Sequence, residues 1–407
     1  MSDHPCFSRR RFLQIAGAAG LSTLAAPHGA LSPALAQTDA APDSKTIRVP
    51  TRRFGKSGIE VSILALGGMF DIAANQLLLR QALQWGVTYW DTADCYHSGS
   101  EAGIGKYFAR YPADRGKVFL VTKSCARDPQ GMDTLLARSL ERLQTNTIDL
   151  YFVHGIRSID ELNEATRKWA ETAKAQKKIR FFGFSTHSNM EACLLGAARL
   201  SWIDGIMFSY NYRIMDSAEM KAAVAACVDA GIGLTAMKTQ SGASWFSSSR
   251  EPDLQKHFMA QGLTEEQAKL KAVWQNPHIA SICSQMDSLK LLKANAAAAA
   301  DPRPLSASSV DLLARHAECT ADRYCRGCGA VCEAALAQKV PVSDIMRCHM
   351  YCHSYGRPEW ARAQMAALAP ETRAAIARLD YGEAERRCPQ HMPIGRLMRE
   401  AAAFYSV

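Results

Sequence analysis

Between residues 61 and 300 the chain alternates short, almost continuous apolar runs with longer stretches whose apolar positions recur every three or four residues. The runs at 61–66, 87–90, 118–122, 149–153, 181–184, 205–208, 233–236 and 280–282 read as strands. The stretches at 75–85, 132–143, 159–176, 190–200, 218–230 and 289–300 read as amphipathic helices. Strands that are apolar on both faces belong in a parallel sheet whose outer face is covered, and the helices between them supply the crossovers. Sustained over about 250 residues, this alternation has the usual size of an eight-fold barrel. An open doubly wound sheet would alternate too, but the first strand closes on Gly67-Gly68 with no Gly-x-Gly-x-x-Gly turn. The fold class predicted is α/β, a (β/α)8 TIM barrel over residues 48–304, followed by a small helical domain over 305–407.

Such a barrel opens all its strand C-termini onto one face, so chemistry-bearing residues just past strands converge there. Asp91 and Tyr96 follow the second run, Lys123 the third and His154 the fourth. The surrounding segments are Gly86-Val87-Thr88-Tyr89-Trp90-Asp91-Thr92-Ala93-Asp94-Cys95-Tyr96, Val121-Thr122-Lys123-Ser124, Ile148-Asp149-Leu150-Tyr151-Phe152-Val153-His154 and Gly183-Phe184-Ser185-Thr186-His187. Together and in this order, they resemble the aldo/keto reductase family over about residues 47–300. The resemblance implies hydride transfer between a nicotinamide and a carbonyl or alcohol. Tyr96 would be the general acid, Lys123 the cation beside it, Asp91 the anchor of that cation and His154 the donor that polarises the carbonyl. The chemistry asks for such a set: a phenol with an ordinary pKa of about 10 is a weak acid at neutral pH without a neighbouring cation.

The same resemblance assigns cofactor contacts. Ser185 and Thr186 would hold the carboxamide, Ser209 stands where glutamine is usual, and Met237-Lys238 stands where the ring is flanked and the phosphates begin. Near the last strand, Cys283-Ser284-Gln285-Met286-Asp287-Ser288 replaces the usual basic loop, with Lys290, Lys293 and Asn295 following. NADP is the cofactor implied by the family, and Asp287, which would repel a 2′-phosphate, leaves NAD as the alternative.

A net charge of +9 over 407 residues, with no Lys/Arg cluster interleaved with aromatics, does not point to nucleic acid. At the amino end, Ser8-Arg9-Arg10-Arg11-Phe12-Leu13-Gln14 opens an Ala/Gly-rich stretch ending at Ala34-Leu35-Ala36. This is the pattern of a twin-arginine export signal over residues 1–36, with a polar linker at 37–47 and a periplasmic destination. The mildly apolar stretch is too interrupted for a stable membrane span.

Thirteen cysteines are many and odd in number. Cys95, Cys125, Cys193, Cys227 and Cys283 stand singly in the barrel and read as small buried hydrophobes. In the tail, Cys325-Arg326-Gly327-Cys328-Gly329-Ala330-Val331-Cys332 and the later Cys388-Pro389 have the spacing, glycine and proline of an iron–sulfur site. Residues 305–407 resemble the ferredoxin-like extension of some exported aldo/keto reductases, with the second cysteine motif eroded. That implies one [4Fe–4S] cluster on Cys325, Cys328, Cys332 and Cys388. Zinc on the same thiolates and two disulfides remain open, as does a replacement of one ligand by Cys319. Cys348 and Cys352, four apart, read as one helical face rather than as a haem attachment, which spaces its cysteines by two residues. The functions in view are a periplasmic carbonyl/alcohol oxidoreductase acting on a small molecule, with a redox partner for its cluster, or a catalytically altered barrel serving as an electron-transfer or assembly subunit.

Overall fold

The computed structural model describes residues 47–96, 99–240 and 252–405. The predicted signal and all but the last residue of the linker lie outside them. In chain order the elements are β1 (Thr51–Arg53), β2 (Glu60–Ser62), β3 (Leu64–Gly67), α1 (Gln76–Gln84), β4 (Tyr89–Asp91), α2 (Ser100–Arg110), β5 (Phe119–Ser124), α3 (Pro129–Arg142), β6 (Ile148–Val153) and α4 (Glu164–Ala175). There follow β7 (Ile179–Thr186), α5 (Met190–Ala197), β8 (Gly205–Ser209), α6 (Ala218–Asp229), β9 (Gly233–Met237), α7 (Pro252–Met259), α8 (Glu265–Trp274), β10 (Ile279–Gln285) and α9 (Leu289–Ala300). Strands β3 to β10 close into a parallel barrel, β10 pairing with β3. The (β/α)8 expectation is met.

Two local expectations need correction. The apolar run at 61–66 is not one strand: β2 pairs antiparallel with β1 in a hairpin, and only β3 enters the barrel. Helices α2, α7 and α8 also escaped the pattern. The apolar periodicity of α2 is interrupted by Gly103 and Gly105, which admit the backbone of neighbouring segments. A Cβ at Gly105 would lie 1.9 Å from the Arg142 carbonyl oxygen.

The hairpin plugs the barrel's amino-terminal end. Fully buried Phe54 packs on Tyr89 and Phe119, the first residues of β4 and β5. It also fills the space left by the absent side chains of Gly205 and Gly233, which begin β8 and β9. Arg52 ties the hairpin to the entry of β10 through the carbonyls of Trp274 (2.6 Å), Asn276 (3.0 Å) and Ile279 (2.8 Å).

Strand alternation then decides what faces inward. Tyr89, Val121, Leu150 and Phe152 belong to the barrel's internal core, whereas Trp90, Leu120, Tyr151 and Val153 pack outward among the helices. Two residues further along each inward series stand Asp91, Lys123 and His154. They form the uppermost layer of the barrel interior by parity alone.

Beyond the barrel run α10 (Ala307–Cys319), α11 (Gly329–Glu333), α12 (Val342–His353), α13 (Pro358–Ala366), α14 (Pro370–Ile376), α15 (Gly382–Arg387) and α16 (Ile394–Tyr405). They have their own core around Ile345, Met346, Ile376, Leu397 and Met398. The described residues nonetheless form one compact unit. Cys348 and Cys352 share helix α12, as their spacing requires. Among the described residues no helix is long and apolar enough to cross a membrane. Phe54→Ala, which unplugs the barrel floor, should lower stability by about 3–5 kcal/mol in denaturant unfolding; a loss below about 1 kcal/mol would show that the hairpin is dispensable.

Candidate active site

A cavity of about 880 Å3 opens at the carboxyl ends of the barrel strands and is lined by Asp91, Tyr96, Lys123 and His154 together. Lys123 is 1% and Asp91 2% exposed, so their charges are out of water. The Lys123 ammonium donates to Asp91 Oδ1 (2.6 Å), Asp91 Oδ2 (2.7 Å) and the Thr92 carbonyl (2.7 Å). An ammonium has three protons, and all three are committed. Burial pushes the Asp91 carboxyl up, against the pull of Lys123.

Tyr96 presents its ring to this cation, with Nζ 5.2 Å from the ring centroid, and meets the His154 ring edge-on at 6.0 Å. The expected acidification of the phenol is not what the geometry produces. Burial first, then the Asp91 carboxylate, holds Tyr96 well above an ordinary phenol. Because Lys123 spends its protons on Asp91 and Thr92, its charge reaches Tyr96 largely neutralised. Tyr96 therefore stays protonated across the neutral range.

His154 follows β6, its backbone N–H donating to the Ser124 carbonyl (2.8 Å). Burial pushes its imidazole down, so the ring is neutral near pH 7. Its Nδ1 lies 3.1 Å from Cys95 Sγ and 3.7 Å from Cys125 Sγ. These two cysteines were expected to be inert buried hydrophobes. Instead they flank a site residue: Cys95 is half-buried and Cys125 exposed. The Cys95 thiol is pushed up, chiefly by its contact with Cys125, and Cys125 is pushed down by the same contact.

The expected cofactor residues divide. Ser185 lines the cavity and accepts from the Gly155 N–H (3.0 Å). Lys238 also lines it, in the left-handed region at φ 60°, with its ammonium on Tyr351 Oη and 4.2 Å from that ring's centroid. Thr186, Ser209 and Asn295 are not on its wall. The Thr186 hydroxyl fastens its own loop through the carbonyls of Ile156 (2.8 Å) and Ser188 (2.7 Å). Ser209 Oγ lies 3.0 Å from His187 Nδ1. Buried Asn295 joins Ser284 and Gln240, which do line the cavity, at 3.1 Å each. Asn295 therefore positions the wall from behind.

The other wall comes from the tail, which the sequence reading kept apart from the site. Arg347, Tyr351, Tyr355 and Trp360 line the same cavity. Arg347 and Tyr351 stand on α12 with Cys348 and Cys352, Tyr355 just beyond it and Trp360 on α13, and nothing in their spacing pointed to the barrel mouth.

The cysteine loop of the tail is fastened beside Ser185. The Asn189 N–H donates to the Gly327 carbonyl (2.8 Å), and Asn189 Oδ1 accepts from the Ala330 N–H (2.9 Å). Arg157 reaches from the barrel to Glu333 and Asp344. Gly327, at φ +79°, lies so close to His187 that a Cβ would stand 2.2 Å from its carbonyl oxygen. Cys325, Cys328, Cys332 and Cys388 face one small cavity walled by Val331, Val342, Met346, Met392 and Ile394. All four are free thiols, and no three of their sulfurs lie within 4.8 Å of one another. Two disulfides among them are thereby excluded as the arrangement seen. Burial, then repulsion from the other three sulfurs, pushes the Cys325 thiol up. Four such groups ionise together only around a positive centre. Cys319 is not on this cavity's wall.

The buried pair yields a stability test. Lys123→Met leaves Asp91 buried without its counter-charge and should cost about 3–5 kcal/mol in denaturant unfolding. Adding Asp91→Asn to it should recover a good part of that loss; a double variant as unstable as the single one would show that packing, not charge, is at stake.

A family model described as "Aldo/keto reductase family" matches residues 65–299. "Aldo-keto reductase yakc [NADP(+)]" of Schizosaccharomyces pombe is 31% identical over 159 residues, 34% of this chain and 45% of that protein. "Uncharacterized oxidoreductase YrpG" of Bacillus subtilis is 28% identical over 217 residues, 46% and 65% of the two chains. The chain thus spans about half to two thirds of these curated relatives. Among solved structures, an aldo-keto reductase from Bacillus halodurans in its holo form superposes with a TM-score of 0.55 at 22% identity, over 66% of this chain and 97% of that one. The likeness shows the barrel fold. With the family match covering more than half of its length, the chain belongs to the aldo/keto reductase family.

Proposed function

We propose that the chain is an exported NADP(H)-dependent oxidoreductase interconverting a small carbonyl compound and its alcohol, with one [4Fe–4S] cluster in its tail. The observation carrying the first part is the convergence of Asp91, Lys123, Tyr96 and His154 at one end of a single large cavity. Its volume is within the range of sites for cofactors and their substrates. The wall suits a dinucleotide: Ser185 would meet the carboxamide, Gln240 and Ser284 offer further hydrogen bonds, and Arg213 and Lys238 bring positive charge toward phosphates. Asp287, also on the wall, disfavours an additional phosphate there, so affinity for NADP over NAD is expected to be modest. When bound, the nicotinamide supplies or accepts the hydride.

The chain's own residues handle the oxygen and the proton. His154 fixes the carbonyl oxygen. Its Nδ1 lies against Cys95 and Cys125, which leaves Nε2 as the nitrogen that would donate to that oxygen. Tyr96 then transfers its phenolic proton to the oxygen as negative charge develops. Its high pKa is no obstacle, because an alkoxide is a far stronger base than a phenolate; burial keeps the acid loaded. Asp91 holds the Lys123 ammonium charged and in place beside the Tyr96 ring.

In the tail, the four thiols facing one apolar cavity support the cluster. Zinc, which gathers sulfurs to about 3.8 Å in a tetrahedron with bonds of about 2.3 Å, is the rival on the same thiolates. The twin-arginine pattern is consistent with this reading, since that route carries proteins already folded around a cofactor. The proposed location is accordingly the periplasm.

Tyr96→Phe should retain NADPH binding and lose carbonyl reduction by about 10²–10⁴-fold. Absence of nucleotide binding in the unaltered chain would overturn the oxidoreductase reading. Protein purified without air should carry about four irons per chain, and Cys328→Ser should lose them; zinc in their place would refute the cluster.

A further inference from the structure

Cys95, Cys125 and His154 form a second thiol-rich constellation, on the barrel rather than in the tail. From their geometry we propose that Cys95 Sγ, Cys125 Sγ and His154 Nδ1 form a binding site for a thiophilic divalent cation such as zinc. All three donor atoms lie within 4.8 Å of one another, and no other such trio of His, Cys, Asp or Glu donors occurs among the described residues. The distances match a coordination tetrahedron. Bonds of about 2.3 Å to sulfur and about 2.0 Å to nitrogen place sulfur and nitrogen about 3.5 Å apart. The observed separations, 3.1 Å and 3.7 Å, bracket that value. The ligands come from three loops at the barrel mouth: Cys95 after β4, Cys125 after β5 and His154 after β6. The site thus needs no flexible segment to assemble, and exposed Cys125 gives a route for entry.

Charge balance favours the same conclusion. Binding takes up both cysteines as thiolates, with any thiol proton still present leaving to solvent, and two thiolates with one dication are neutral. That suits a position between Lys123, already neutralised by Asp91, and Arg127, which is paired with Glu161 at 2.7 Å. Two sulfurs and one nitrogen are the protein ligand set of a zinc site that keeps a fourth position for water or a small ligand. Occupation of Nδ1 forces the imidazole proton onto Nε2, the nitrogen assigned above to the carbonyl oxygen. That consequence rests on the proposed reductase reading; the site itself does not.

The test uses cobalt(II) added anaerobically to the full chain, because thiolate ligation to cobalt produces charge-transfer absorption in the near ultraviolet. One equivalent should bind in the unaltered chain and in Cys328→Ser, whose lesion is in the tail. It should be lost, with at least about a tenfold weakening of affinity, in Cys125→Ser. Zinc should displace the cobalt and protect Cys125 from alkylation in the unaltered chain. Equal cobalt signals with and without Cys125 would overturn the proposal. So would rapid oxidation that consumes two thiols in the unaltered chain but none in Cys125→Ser while cobalt leaves no signal, the behaviour of a disulfide pair. None of these readouts depends on carbonyl reduction, so a failed metal site and a failed reductase assignment are told apart.

Discussion

A buried ammonium and a buried carboxylate, held together at the top of the barrel, are the constraint around which the site is arranged. Taking either charge alone out of water costs several kcal/mol, and mutual attraction offsets this only with good geometry. Here the geometry is close to saturating: Lys123 reaches both oxygens of Asp91 and the Thr92 carbonyl within 2.7 Å. Neither residue can shift without exposing an uncompensated charge to an apolar interior. The pair therefore gives the barrel mouth a rigid floor, against which the Tyr96 ring rests and beside which His154 stands.

That rigidity accounts for a reversal of the simplest reading of a Tyr–Lys couple. A free ammonium would pull the phenol down; an ammonium fully engaged with a carboxylate does so weakly, and desolvation prevails. The resting phenol therefore keeps its proton across the neutral range.

The tail changes the character of the site. Helices α12 and α13 lay Arg347, Tyr351 and Trp360 along the same cavity as the barrel residues. Their placement follows from several anchors acting together. Arg157 is held between Glu333 and Asp344, Lys238 meets Tyr351, and the Gly327 turn lies against His187. The cysteine loop is consequently fixed to the segment just after Ser185. A tail residue at the cavity and a cysteine at its own centre belong to one packed body.

The barrel and the convergence of Asp91, Tyr96, Lys123 and His154 at its mouth were legible from the chain because both follow from short-range rules. Strand parity puts Asp91, Lys123 and His154 inward once Tyr89, Val121 and Phe152 are known to be core, and the parallel order sends all three to one end. The split of 61–66 between hairpin and barrel was not legible, since an apolar run looks the same whether its partner strand is antiparallel or parallel. Nor could spacing show that Thr186, Ser209 and Asn295 would serve the wall from behind while Gln240 and Ser284 face the cavity. The meeting of Cys95 and Cys125 at His154 Nδ1, and the fastening of the tail beside Ser185, join positions 29 to 141 residues apart. Periodicity and propensity act over a few residues, whereas contacts of that separation are chosen by the packing of finished elements. Local patterning therefore specified the scaffold and which candidate residues face its mouth, and the folded arrangement alone determined which other side chains share that pocket.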